Sequence, residues 1–298
     1  MAEKKITEIS RQFSDSLAFK TTNPTVFCAG SLGRGDIGGK SDLDSFIISD
    51  REVKRLEKYR LYAAVGRIHE NLKFPAPSND GEFLKVYELD DMKAKTGEPK
   101  DDSENLFTVR MLLLLESRPL FNTPLYDQCI RDIISHYFRD SRDGANFKPI
   151  FIINDFLRYW RTLCLNYERL RDGEKPWRKK NVNLKFSRML TIFGTVLPII
   201  VKDLSSTDEL IALSNKTPLE RLVEGLDGLN DERLAEDFKT FLEHYEQFLK
   251  WKDDPQIEKK LASIKDEINQ AAQQFSGFLY RALNHPNIDA DYRRMLVL

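Results

Sequence analysis

Five of the 14 glycines in this 298-residue chain fall within residues 30–39. Glycine alone enters left-handed backbone without steric cost, so a run this dense reads as a tight, backbone-rich turn. Two short apolar runs rich in strand-forming residues flank it, Thr25–Ala29 (TVFCA) and Leu43–Ile48 (LDSFII). The N-terminal region must therefore fold around a strand–turn–strand unit. Ile6, Ile9, Phe13 and Leu17 before it are spaced for one helix face. After it, Arg51–Leu72 alternates with helical period, and residues 73–81 (KFPAPSNDG) carry turn chemistry. Glu82–Leu89 (EFLKVYEL) reads as a third strand and Asp102–Glu116 as a leucine-rich helix.

Beyond Phe121 the pattern offers no further strand. Helices are expected over Leu125–Phe138, Ile150–Leu170, Val182–Val201, Pro218–Leu226, Asp231–Trp251 and Gln256–Leu283. Residues 141–149 (SRDGANFKP) mark a boundary. The expected fold class is α+β, with a small mixed-sheet domain over residues 1–140 and an all-helical domain over residues 141–298.

Composition narrows the function classes. The apolar runs Met111–Leu115 and Val196–Val201 fall well short of the roughly 20 residues that span a bilayer. The N-terminal MAEKKITEIS lacks the apolar run of a secretory signal. Cys28, Cys129 and Cys164 are dispersed and unpaired in spacing, as are the four histidines. This argues against a disulfide framework and a zinc site, and for a reducing, cytoplasmic setting with no membrane partner. Any metal chemistry must use carboxylates. With 46 basic and 47 acidic residues the chain is not broadly nucleic-acid-binding, although residues 169–188 hold eight basic and two acidic side chains.

The chemistry-bearing segment is AGSLGRGDIGGKSDLDSFII, residues 29–48. Asp42 and Asp44 stand at i and i+2 where a strand begins, so alternation turns both carboxylates to one face, roughly 6.5–7 Å apart along the backbone. Paired carboxylates suit Mg²⁺, and two such ions can clamp the attacking and leaving oxygens of a nucleotidyl transfer. The Gly30-Ser31 bend exposes backbone N–H groups and a hydroxyl able to hold a triphosphate such as that of ATP, and Arg34 can neutralise its charge. Gly33–Gly38 also matches GxGxxG, but the helix a dinucleotide site needs does not follow it.

The Gly30-Ser31 pair, the Asp42-Leu43-Asp44 triplet and the apolar Phe46-Ile47-Ile48 together resemble the DNA polymerase β-type nucleotidyltransferase superfamily. The motif is most similar to the transferase domain of PII uridylyltransferases and related nucleotidyltransferases. The resemblance implies transfer of a nucleoside monophosphate from an NTP to a protein, RNA or small-molecule acceptor such as a second nucleotide, with two Mg²⁺ ions. It also implies a third carboxylate from the next strand, here Glu82 or Glu88, which strand alternation does not separate. From a helical domain it implies triphosphate contacts, for which Lys185, Ser187 and Arg188 in NLKFSRML are the candidates, with Arg158 and Arg161 near in type. The third strand carries no aspartate. That motivates a competing expectation: a nucleotide-binding regulatory or interaction protein with a degenerate site, of the kind found in defence or toxin–antitoxin systems.

Overall fold

The computed structural model describes residues 2–38, 41–75, 81, 83–139, 141, 147–169 and 181–297. The chain divides into two compact units, Met1–Arg139 and Asp140–Leu298, and its class is α+β.

The first unit runs α1 (Ala2–Asp15), α2 (Leu17–Thr22), β1 (Thr25–Cys28), α3 (Gly30–Arg34), β2 (Ser45–Ser49), α4 (Arg55–Asn71), β3 (Val86–Glu88), α5 (Leu89–Ala94), α6 (Pro99–Ser103), α7 (Leu106–Glu116), β4 (Arg118–Phe121) and α8 (Thr123–Tyr137). The sheet order is β3-β2-β1-β4. β1 is antiparallel to β2 and β4, and β2 is parallel to β3. Register sorts the side chains into two faces. Val26, Ile47 and Val86 stand side by side on one face and join a core with Ile9 and Phe13 of α1 and Leu61 and Val65 of α4. On the other face Phe27 stacks on Phe46 with ring centroids 5.2 Å apart, and Tyr126 of α8 approaches Phe27.

The structure departs from the sequence pattern at identifiable places. The expected first helix breaks at Ser16, and Leu17 is 77% exposed, so the buried stripe ends at Phe13. β4 escapes the pattern because it has four residues and contains Pro119. A proline cannot donate to a ladder and is tolerated where β4 lies, at the sheet edge. α7 is buried on every side, and its Arg110 is held by Asp101 at 2.7 and 3.0 Å, the Tyr137 hydroxyl at 2.8 Å and the Met92 carbonyl at 2.9 Å.

The second unit is helical throughout its described residues. α9 (Ile150–Arg169) is followed by a π-helical turn, Leu184–Arg188, that continues into α10 (Met189–Val201). Then come α11 (Thr207–Ser214), α12 (Pro218–Leu229), α13 (Glu232–Asp253), α14 (Ile257–Lys260), α15 (Lys265–Leu283) and α16 (Ala290–Val297). α11 lies outside the helices that periodicity predicts, yet it carries a legible start signal. Ser206 and Glu209 cap each other's backbone N–H groups reciprocally. The expected helix Gln256–Leu283 is two helices, α14 and α15. Phe186, Phe241, Phe248 and Phe275 stack into one aromatic core. The helical stretch Asn181–Val201 has the length and apolarity of a membrane span, but 67% of that window is buried inside the protein.

Candidate nucleotidyl-transfer site

The antiparallel pairing of β1 and β2 carries past the strand ends. The Ala29 N–H donates to the Asp44 carbonyl at 2.9 Å, which brings the start of β2 alongside the Gly30-Ser31 bend. There the chain turns into α3, a single helical turn with Ala29 before it. Ala29 carries no side-chain acceptor to cap that turn, and among the described residues no side chain caps its first N–H groups. Gly30 takes a left-handed φ of +68°, and a Cβ there would stand 3.1 Å from Asp44 Oδ2. Glycine thus clears the space beside that carboxylate. Among the described residues the Ser31 hydroxyl meets no protein partner, and the residue is half-buried.

Burial alternates through the acidic segment. Leu43 enters the core cluster, while Asp42 is exposed and Asp44 half-buried. Asp44 thereby shares the Phe46 face of the sheet, away from Leu43. Asp44 also lines a small cavity with Phe46, Gly81 and Phe83. Burial, with a lesser contribution from the Asp44 charge, pushes the Cys28 thiol up to about 12, so this cysteine at the end of β1 is no nucleophile at neutral pH.

Arg34, at the end of the turn that Gly30 and Ser31 open, is held by carboxylates within the protein. Its guanidinium donates to Glu116 Oε2 at 2.5 Å and to both Asp36 oxygens at 3.2 Å, with the residue 9% exposed. It is therefore a tie that holds α3 to the end of α7. Glu116 went unnoticed in the sequence because it sits 82 residues away from its partner. Gly33 makes the same junction close: a Cβ on it would fall 1.9 Å from the Glu116 carbonyl oxygen.

Register sets Glu88 apart from Asp42 and Asp44. It pairs with Ser49, five residues along β2 from Asp44, a rise of about 16 Å. It also shares the Ser49–Ile47 face rather than the Phe46 face. Its carboxylate instead meets Lys58 at 3.5 Å. Glu82 lies outside the described residues. Among the described residues no group of three His, Cys, Asp or Glu side chains converges to hold a metal ion.

The remaining candidates belong to the second unit. Lys185, on the π-helical turn, donates to Asn269 Oδ1 at 2.7 Å, and burial together with Lys265 pulls its pKa below the ordinary lysine value. Ser187 is 2% exposed and its hydroxyl donates to the Asn183 carbonyl at 3.3 Å, a packed position on the helical turn. Arg188 is half-buried on the same turn. Arg158 stands 3.7 Å from Asp155, and Arg161 is exposed. Most of the basic run 169–188 falls outside the described residues.

Residues 10–102 match the family model described as a nucleotidyltransferase domain. Neither curated proteins nor solved structures gave a match.

Proposed function

With residues 10–102 forming a nucleotidyltransferase domain, and the protein accordingly a nucleotidyltransferase acting on an NTP, we propose that the bend at Gly30-Ser31 and the acids Asp42 and Asp44 form its reaction centre. The observation that carries this reading is the approach of Asp44 Oδ2 to the glycine bend, with no side chain between them.

The residues fit a hard divalent cation. Two carboxylates accessible to solvent sit on one short segment, and Mg²⁺ needs only one or two carboxylates when substrate phosphates supply further oxygens. Asp42 and Asp44 would hold it. Bound there, Mg²⁺ supplies charge neutralisation at the phosphates. The chain's own groups do the rest. The uncapped N–H groups of α3 and the Ser31 hydroxyl receive phosphate oxygens. The Arg34–Glu116 pair keeps that turn rigid beneath them. In the reaction an acceptor hydroxyl oxygen forms a bond to the α-phosphorus. The bond from that phosphorus to the bridging oxygen breaks, pyrophosphate leaves, and the hydroxyl proton passes to a carboxylate or to water. With Glu88 paired beside Ser49, Glu82 is the acid we propose for the third carboxylate.

Incubating the chain with Mg²⁺ and each α-³²P NTP, in the presence of protein, RNA or nucleotide acceptors, tests the reading. Label transfer with matching pyrophosphate release supports it. The presence of only two carboxylates at the bend among the described residues favours, as a second reading, a nucleotide-binding protein without turnover. Calorimetric NTP binding that needs no Mg²⁺, with no pyrophosphate released from any NTP, selects that reading instead.

A further inference from the structure

A cavity of about 540 Å³ opens where α1, the end of α4 and Ser41 meet, within the size range of sites for small organic ligands. One wall is apolar, made by Ile9, Leu72 and Phe74, residues that belong to or pack on the core cluster that Leu43 also joins. The cavity thus lies on the helical side of the sheet, behind the segment whose acids face the other way. Its polar lining is Lys5, Lys73, Ser41 and Glu8.

The two lysines are unusual in what they lack. Among the described residues neither ammonium meets a carboxylate, and Glu8 forms no ion pair with either. Lys5 contacts the Phe74 ring instead, 5.9 Å from its centroid. Lys73 closes α4 in a left-handed conformation, φ +57°. Its N–H donates to the Glu70 carbonyl and the next N–H, of Phe74, to that of His69. This is the Schellman arrangement, whose left-handed position favours glycine. A lysine there is not chosen for the turn. The following residues are held in turn: His69 Nδ1 bonds the Pro75 carbonyl at 2.8 Å, which fixes Phe74 and Pro75 at the cavity rim. The Ser41 hydroxyl accepts from the Gly38 N–H at 2.9 Å and keeps its own proton to donate.

We infer that this cavity is a second binding site, separate from the reaction centre, for a small organic phosphate monoester. The dianionic phosphate would sit between Lys5 and Lys73 with Ser41 donating to it, and the organic body against Ile9, Leu72 and Phe74. The inference does not depend on the transfer reaction proposed above.

Calorimetry on the full chain without divalent metal tests it, using adenosine 5′-monophosphate, inorganic phosphate and adenosine as probes. The monophosphate is expected to bind once per chain and more tightly than adenosine. Lys5→Met, which keeps the apolar stem, and Lys73→Gly should each weaken it by about tenfold or more. Lys73→Gly should hold or raise the melting temperature, because glycine suits that turn, so its loss of binding cannot be misfolding. The double variant Asp42→Asn/Asp44→Asn should bind the monophosphate as the native chain does. The inference is overturned if neither phosphate probe binds, if the lysine variants bind unchanged, or if the double aspartate variant loses binding. The last result would place the ligand at the reaction centre.

Discussion

Replacing Gly33 by alanine would set a methyl carbon 1.9 Å from the Glu116 carbonyl oxygen, a backbone atom that cannot move without α7. Gly33→Ala should therefore destabilise the first unit by more than the about 1–3 kcal/mol typical of overpacking, read as a lowered denaturant midpoint. Gly30→Ala acts differently. The left-handed φ of +68° costs an alanine about 1–2 kcal/mol, and its methyl group crowds the Asp44 carboxylate, so nucleotidyl transfer should fall further than stability does. Glu116→Gln removes the negative charge from a buried pair with Arg34. A loss of about 3 kcal/mol is expected from a broken buried pair, measurable in urea. For the third carboxylate, Glu82→Gln should slow transfer by about a hundredfold, the scale of a lost general base, while Glu88→Gln should not. Burial pushes the thiols of Cys28 and Cys129 up to about 12 and raises that of Cys164 too, but Cys164 alone of the three is only half-buried. A thiolate-directed reagent at pH 8 should therefore label Cys164 before the other two, as mass spectrometry would show.

At the scale of elements, the legible parts of the sequence were those with local signals. The glycine bend and the acid pair announce themselves because turn, strand start and carboxylates all lie within 20 residues of chain. β4 did not, since a four-residue edge strand holding Pro119 has neither length nor alternation to read. The Arg34–Glu116 pair is not legible in the sequence, because the two residues stand 82 positions apart and meet only through the fold. Strand parity treats Glu82 and Glu88 alike in the sequence, and the pairing of Glu88 with Ser49 comes from the parallel register of β2 and β3, a non-local property. Helix ends are more predictable. Asp231 caps α13, accepting from the Leu234 and Arg233 N–H groups and bonding His285, and these hold its pKa below the ordinary 3.8. A depressed carboxylate contributes stability above its unfolded pKa, and that contribution is lost as pH falls through its folded value. Asp231→Ala should thus lower the melting temperature at pH 7, with the gap to the native chain closing as the pH drops below 3.8.

At the scale of the whole molecule, a chain of 298 residues commits under half its length to the sheet-containing unit, and that unit carries the nucleotidyltransferase domain. In the reaction centre proposed here, Asp42 and Asp44 stand beside the Gly30-Ser31 bend, where the Ala29 N–H to Asp44 carbonyl bond joins the two segments. The most direct measurement is the rate of pyrophosphate release from the preferred NTP by the native chain and by Asp42→Ala/Asp44→Ala, with circular dichroism confirming that both are folded. A fall of about a thousandfold or more is expected in the variant, the scale of several kcal/mol of lost charge stabilisation. A folded variant that releases pyrophosphate at the native rate would contradict the proposed reaction centre.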